Sequence, residues 1–371
     1  MRLIYNIILS TLFCISILCY TSCSDTQQSF NIKDGLKDTI EINFDSMYKH
    51  CDLISLKSDN GYVLAKNPSI VYADDNFIII NSDNSVYLFD GGGLFLREIG
   101  KFGKGHGEHG VITSCFYDKT NNIIYVCSFG NEIYCYSING EYIKKIIVNI
   151  EKGGISRAFG LVDNSKIISV KNVYKRGGLK CYATIYNDNG NIDKEFLLYS
   201  DQLSFKLTTE SFPIVYSFNN FFRVKLPFDN RLFTISREGD EESDVLESEE
   251  LSPSRDLIEN CENRKELYNE KCQVLDIKET SKHLYIICYF AMKYHSMIFH
   301  KETKHVIFSK YTNNPKEKGT IRYNKDKVSF WPSYCRDSTI FCLIADDGSS
   351  QNSRNSIMKD IGYSVLKIQE R

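Results

Sequence analysis

The 371-residue chain is 42% apolar and carries 24 tyrosines and 23 phenylalanines, so it can bury a large core. Aromatic and β-branched residues favour strands over helices. The net charge of −2 provides no basic field that would attract nucleic acid, which argues against a nucleic-acid partner.

The first 22 residues have the pattern of an export signal. Arg2 is a minimal positive start, an apolar stretch runs from Ile4 to Leu18, and small residues lead directly into Cys23. The stretch is short for a spanning helix, which needs roughly 20 apolar residues. It resembles a bacterial lipoprotein signal, with Tyr20 in place of the usual leucine. We therefore predict a signal peptide at 1–22, lipidation at Cys23, a tether at 23–37 and a folded domain at 38–371, with a plain signal peptide or an anchored helix as alternatives.

A strand–turn–strand unit recurs along the folded domain. Val86–Ile99 and Ile133–Ile146 align without a gap at a spacing of 47, and both turn at glycine-containing segments. Further copies are Tyr182–Phe196, Arg231–Gly239 and Ser296–Phe308. Each copy is preceded by another predicted strand, such as Phe77–Asn81. The repeat therefore contains three to four strands.

Units of this size, repeated every 45 to 65 residues, are typical of propeller blades. A sixth unit is predicted at Lys327–Ile344, with a last strand at Tyr363–Ile368 and an early strand at Thr39–Phe44. The incomplete units at the two ends predict that one terminus completes the other's blade. The sequence thus predicts an all-β, six-bladed β-propeller, with seven blades or an irregular sandwich as alternatives.

A polar segment separates the fourth and fifth units. Glu238–Glu250 contains eight carboxylates, a composition typical of a solvated loop. Pro253 and the helical spacing of apolar residues from Leu257 to Cys272 predict a short helix after it. This is a predicted helical insertion between blades four and five.

The segment IGKFGKGHGEH at Ile99–His109 resembles the signature of the six-bladed β-propeller lipoprotein family of Gram-negative bacteria, whose units are similar to NHL repeats. The glycines and Glu108 match the family pattern, while His106 replaces a proline and His109 an aromatic residue. The resemblance extends more weakly over the mature chain. It implies a propeller lipoprotein of the cell envelope and little about activity.

The same segment holds the densest group of potential metal ligands, namely His106, Glu108 and His109. It lacks a helix that would place both histidines on one face, so we predict no metal and no cofactor. It also lacks the GK[ST] of a phosphate-binding loop, and its glycines fit a connection between blades. Trp331 is predicted to lie in the core, with sugar stacking as the alternative.

The cysteines give no clear disulfide framework. Cys127, Cys135, Cys288 and Cys342 lie in apolar strand-like runs, where thiols behave as small buried hydrophobes. Cys261 and Cys272 could form a bridge.

No nucleophile elbow or acid–base pair stands out, so no catalytic residue is predicted. The sequence favours a non-catalytic binding or scaffold propeller, lipid-anchored in the cell envelope at the outer membrane, with a protein or glycan partner. The expected contact elements are the loop at 100–110 and the insertion at 238–272. The alternatives are a hydrolase or lyase whose active site lies at the central channel mouth, and a purely architectural subunit.

Overall fold

The computed structural model describes residues 47–57, 64, 68–129, 131–150, 154–162, 166–175, 178–201, 213–227, 229, 231–236, 241–245, 273–290, 293–303, 305–308, 321–323, 328–346 and 362–371. The predicted signal, lipidation site and tether lie outside these residues. So do the early strand predicted at 39–44, the helix predicted after Pro253, and Cys261 and Cys272.

The described residues form 26 strands. The first half of the chain contains β1 (Tyr48–Ser55), β2 (Ser69–Ala73), β3 (Phe77–Ser82), β4 (Ser85–Asp90), β5 (Phe95–Ile99), β6 (Ile112–Asp118), β7 (Ile123–Ser128), β8 (Glu132–Ser137), β9 (Tyr142–Ile147), β10 (Gly154–Val162), β11 (Lys166–Lys175), β12 (Gly178–Tyr186) and β13 (Ile192–Asp201). The second half contains β14 (Ile214–Phe218), β15 (Phe221–Lys225), β16 (Arg231–Ile235), β17 (Glu241–Val245), β18 (Gln273–Glu279), β19 (His283–Phe290), β20 (Lys293–His300), β21 (Val306–Phe308), β22 (Ile321–Tyr323), β23 (Val328–Phe330), β24 (Tyr334–Arg336), β25 (Thr339–Asp346) and β26 (Gly362–Glu370).

Six four-stranded antiparallel sheets form the blades of a propeller. Blades one to five are β2–β5, β6–β9, β10–β13, β14–β17 and β18–β21, each in chain order. The sixth has the order β1-β26-β25-β24, so the N-terminal strand is its outermost strand. The six-bladed propeller and the shared closing blade are confirmed, and the seven-bladed alternative is wrong. Each inner strand (β2, β6, β10, β14, β18, β24) contacts the inner strands of both neighbouring blades, which completes the ring.

The repeat at a spacing of 47 residues is confirmed by the strand pairing of the first two hairpins. Val86 pairs with Ile99 in blade one, and the residues 47 positions later, Ile133 and Ile146, pair in blade two. The turns contain Gly93 and Gly140 with φ of 89° and 83°, a left-handed conformation that favours glycine.

The core lies between the blades. Six hydrophobic clusters occur among the described residues, and each is shared by two consecutive blades, including blades six and one. Strand alternation supplies one apolar face to each neighbouring blade, so every blade is covered on both sides. Burial between blades therefore holds the ring together.

The cluster between blades five and six also contains a buried polar network. Glu370 Oε1 accepts hydrogen bonds from Tyr285 Oη at 2.7 Å and Thr280 Oγ1 at 3.0 Å, and His283 Nδ1 lies 2.9 Å away. Tyr48 Oη lies 3.2 Å from Tyr285 Oη. The network ties the first and last strands of the domain to blade five.

Two local predictions need correction. The solvated loop predicted over Glu238–Glu250 is wrong for β17, whose backbone pairs with β16 as the outer strand of blade four. An outer strand needs only one bonded neighbour and tolerates charged residues, so strand pairing overrides composition there. In addition, β23 pairs with β22 in a separate hairpin, and the sixth blade begins only at Tyr334.

Candidate functional site

A cavity of about 630 Å³ occupies the central channel. Residues of all six inner strands line it, from Ser69 and Thr113 at the start of the strands to Glu279 and Arg336 at their ends. Partly buried aromatic residues, among them Phe116, Phe159, Tyr216 and Tyr334, contribute to the wall. Because the inner strands all run in the same direction, the turns that follow them gather on one face of the ring. We call this end of the cavity the channel mouth.

One charged cluster at the channel mouth is built around Asp74, which follows β2. Its Oδ1 accepts the backbone N–H groups of Asn76 at 2.9 Å and Phe77 at 3.1 Å. Its Oδ2 accepts Tyr72 Oη at 2.8 Å, Arg336 Nη1 at 3.3 Å and Lys119 Nζ at 3.4 Å. The carboxylate thus joins residues of blades one, two and six. We call this group the Asp74 cluster.

The Asp74 cluster keeps its carboxylate ionised. Burial opposes the charge, but hydrogen bonds from Asn76, Tyr72, Phe77 and Lys119 outweigh it and lower the pKa of Asp74. Burial and the neighbouring carboxylate raise the pKa of Tyr72 well above its usual value, so the phenol stays protonated and donates. A carboxylate that already accepts five donors is poorly suited to remove a proton from a ligand.

The lowered pKa of Asp74 predicts a loss of stability in acid. The unfolded carboxyl titrates at about 3.9, so the cluster stabilises the fold fully above that pH and loses its contribution as the pH falls through the lower folded value. Asp74→Asn should cost about 1.5–3 kcal/mol at neutral pH and reduce the pH dependence of the free energy of unfolding below about pH 4. Denaturant titrations at a series of pH values measure both effects.

Asp75→Asn is the matched control for this prediction. The Asp75 side chain is 82% exposed and pairs with Lys367 at the surface, and exposed ion pairs contribute little. The control should retain the acid dependence of the unaltered protein. An Asp74→Asn protein with unchanged acid dependence would contradict the assigned role of Asp74.

A second cluster has the same composition. Glu279, at the end of β18, accepts Tyr216 Oη at 2.9 Å and Arg223 Nη2 at 3.2 Å, and Lys301 Nζ lies 2.6 Å from its Oε1. The Glu279 side chain is 1% exposed. Lys301 also lies over the Phe218 ring, 4.1 Å from its centroid. We call this group the Glu279 cluster. Like the Asp74 cluster, it combines a buried carboxylate, a tyrosine and two cations.

The two cations of the Asp74 cluster are partly exposed at the channel mouth. Lys119 and Arg336 have side chains that are 52% and 35% exposed, whereas the Asp74 side chain is 7% exposed. Two exposed carboxylates lie on the same face: Asp337, 74% exposed and 3.7 Å from Arg336, and Asp75, 82% exposed in the turn that follows β2. Lys119 and Arg336 are the groups that a negatively charged part of a ligand would contact at the mouth.

Two cysteines line the channel, but neither is an activated nucleophile. Cys115 and Cys335 are free thiols, and burial raises the pKa of both well above the usual value. The cysteines predicted to be buried hydrophobes, Cys127, Cys135, Cys288 and Cys342, are free and buried, as expected. No histidine lines the cavity in the part of the chain that the structure describes.

The structure does not bring His106, Glu108 and His109 together as ligands. His106 is exposed with its ring 5.1 Å from Tyr142, and Glu108 Oε2 accepts the Gly105 N–H at 2.7 Å. His109 is fully buried, with Nδ1 3.0 Å from Gly110 O. Within the described ranges no three His, Cys, Asp or Glu side chains are grouped so that they could hold a metal ion.

The loop that carries these residues forms one wall of a second concavity, about 370 Å³ in volume. The other walls come from Ser128, Phe129, Glu132, Tyr134, Tyr142 and Lys145 of blade two. We call it the glycine-loop groove. The loop precedes an inner strand, so the groove lies on the face opposite the channel mouth.

Trp331 lies at the edge of the core. It is partly buried against the cluster between blades five and six, with its ring 5.7 Å from Tyr285. This agrees with the predicted core position.

The residues of the channel mouth have only a faint sequence signal. Asp74, Glu279 and Arg336 each stand in or beside the turn that ends an inner strand, but such turns are polar in most β-proteins. Arg336 lies next to Asp74 only because closure of the ring places blade six beside blade one.

The sequence matches the family model described as a domain of unknown function, DUF4934, over residues 27–367. The chain belongs to the DUF4934 family. No curated protein matches it. Of the residues described for this DUF4934 protein, no helix is long and apolar enough to cross a membrane.

Several solved structures are similar to this DUF4934 protein. A Bacteroides fragilis protein named as exported is 14% identical, with a TM-score of 0.64 over 90% of this chain and 98% of its own. A DUF4221 family member from Bacteroides vulgatus is 9% identical, with a TM-score of 0.49 over 87% and 98%. A virginiamycin B lyase from Staphylococcus aureus is 13% identical, with a TM-score of 0.46 over 86% and 99%. At 14% identity, the likeness to the Bacteroides fragilis protein concerns the fold alone.

Proposed function

We propose that the DUF4934 protein is a lipid-anchored binding module of the bacterial cell envelope, which holds a protein or glycan partner at the channel mouth. The anchor is Cys23, and the outer membrane is the proposed location. The export-signal pattern before Cys23 supports the anchor. The name of the similar Bacteroides fragilis protein agrees with export.

The observation that carries the proposal is the state of the two buried carboxylates at the channel mouth. Asp74 accepts five donors, and Glu279 faces a tyrosine and two cations. Both carboxylates are engaged in holding cations in place. A hydrolase or lyase needs an available acid or base, whereas a binding site needs fixed, partly exposed polar groups around a preformed cavity. The mouth matches the second description, and its exposed cations suit an acidic glycan or an acidic protein surface.

Affinity capture from envelope extract tests the proposal, with the full-length protein in detergent. Val71→Trp places an indole in the channel, since Val71 lines the cavity and is partly buried. We expect the unaltered protein to retain a reproducible partner or glycan, and Val71→Trp to lose it while still unfolding in one cooperative thermal transition. Val71 also packs beside the core between blades one and two, so this transition is the check that the variant is folded. Leu53→Trp is the control, because Leu53 is 64% exposed on the outer strand of blade six.

A separate labelling experiment tests the lipid anchor. Cys23→Ala should abolish labelling by an alkyne fatty acid and release the protein from the membrane fraction. Either of two results would overturn the proposed binding function: no reproducible partner, or a partner that Val71→Trp captures equally well. Labelling that persists in Cys23→Ala would overturn the lipid anchor alone.

A further inference from the structure

The glycine-loop groove has the features of a rigid binding site. Backbone hydrogen bonds join Gly103 N to His109 O at 3.0 Å and His109 N to Lys101 O at 2.9 Å. Tyr136 Oη donates to Gly107 O at 2.9 Å and fastens the loop to blade two. A loop held at both ends and in the middle loses little freedom when a ligand binds, which favours affinity.

The groove presents aromatic surface to solvent. Phe129 is 74% exposed, the largest exposed fraction among the large hydrophobic residues that the structure describes. Tyr142, the first residue of β9, is partly buried, and its ring contacts that of His106 in the loop. An exposed phenylalanine costs solvation free energy, and it gains most from a ligand with a flat apolar face.

Glu132 and Lys145 form a locked and neutral pair in the groove, which Lys104 and Glu108 of the loop also line. Glu132 accepts Lys145 Nζ at 2.8 Å through one oxygen and Tyr134 Oη at 2.8 Å through the other. The hydrogen bond from Lys145 lowers the pKa of Glu132, so the pair stays charged at neutral pH and its charges cancel. Such a pair offers both donors and acceptors without attracting an ion.

One further group in the groove lacks a partner. Ser128 is 4% exposed, lines the groove, and its Oγ has no hydrogen-bond partner within the described part of the chain. A buried hydroxyl without a partner is costly, and a hydroxyl-bearing ligand would relieve that cost.

We propose that the glycine-loop groove binds a neutral carbohydrate. Phe129 and Tyr142 lie against the apolar faces of sugar rings, while Glu132, Lys145 and Ser128 exchange hydrogen bonds with the sugar hydroxyls. Sugar hydroxyls both donate and accept, which matches the charge-cancelled pair better than an ionic ligand would. The site lies on the opposite face from the channel mouth and does not depend on the function proposed for that mouth.

A printed array of neutral and uronic-acid oligosaccharides, probed with the full-length protein in detergent, tests this site. We expect binding to neutral glycans, confirmed by calorimetric titration of the best-bound oligosaccharide. Phe129→Ala should weaken that affinity by about tenfold or more. Phe221→Ala, which removes another exposed phenylalanine on the opposite face, should leave it unchanged. Val71→Trp should also leave it unchanged, which separates this site from the channel.

The melting temperature of Phe129→Ala should equal that of the unaltered protein, because its side chain packs little. Binding to no glycan, binding to uronic-acid glycans alone, or full affinity in Phe129→Ala would each overturn the proposal. Displacement of the bound oligosaccharide by peptides of extended conformation, at similar concentrations, would assign the groove to a protein partner instead.

Discussion

Tyr48→Ala should lower the free energy of unfolding by about 3–5 kcal/mol, the cost of removing a fully buried aromatic side chain. Tyr48 is 1% exposed, and it belongs to the cluster between blades five and six together with Phe330 and Leu366. Its hydroxyl lies against Tyr285, whose own hydroxyl donates to Glu370. The side chain therefore joins the N-terminal strand to blade five and the C-terminal strand. Equilibrium denaturation in urea measures the loss.

Two variants separate burial from hydrogen bonding and from strand position. Tyr48→Phe keeps the ring and should cost only about 0.5–1.5 kcal/mol, the value of one hydrogen bond. Leu53→Ala changes an exposed residue of the same strand and should stay within about 0.5 kcal/mol. If Tyr48→Ala cost no more than Tyr48→Phe, the packing of β1 would not contribute to closure of the ring.

Gly100→Ala should destabilise the protein by about 2–4 kcal/mol, because the residue is confined by both backbone and packing. Gly100 has φ of 67°, in the left-handed region, and a Cβ there would lie 2.6 Å from Tyr136 Cζ. Tyr136 is 1% exposed and cannot move without disturbing the core between blades one and two. Its displacement would also break the hydrogen bond to Gly107 that holds the loop.

Gly110→Ala is the control in the same loop. A Cβ at Gly110 would meet only Ser128 atoms at 3.7 Å, an ordinary contact, so the change should stay within about 0.5 kcal/mol. Denaturation of both variants provides the comparison. Equal stability of the two would show that the glycine-rich segment is not held as described and that the groove is not preformed.

Together these variants distinguish residues that stabilise the propeller from residues that bind a partner. Tyr48 and Gly100 act through packing, so their effects should appear as stability. Val71 lines the channel beside the core between blades one and two, and Phe129 faces solvent, so changes at these residues should appear first as lost binding. The two candidate sites lie on opposite faces, so the ring has room for two partners at once.

The sequence by itself predicted the strand–turn–strand hairpins of the blades and favoured six blades over seven. Strand alternation and turn chemistry are local properties, and the hairpins at Val86–Ile99 and Ile133–Ile146 show them at a fixed spacing. The burial of Cys127 and Cys342 followed from their place in apolar strand-like runs. The prediction from local composition was wrong at β17, because this acidic segment pairs with β16 as a strand.

Only the tertiary structure decided how the sites are composed. Arg336 meets Asp74 across 262 residues of sequence, and Glu279 meets Tyr216 across 63, because ring closure and blade packing bring the ends of different inner strands together. The histidines that looked like metal ligands were separated by the same packing, which buried His109 and left His106 in solvent. Periodicity describes neighbours along one sheet, whereas these contacts join separate sheets, and no local pattern encodes which side chains will meet there.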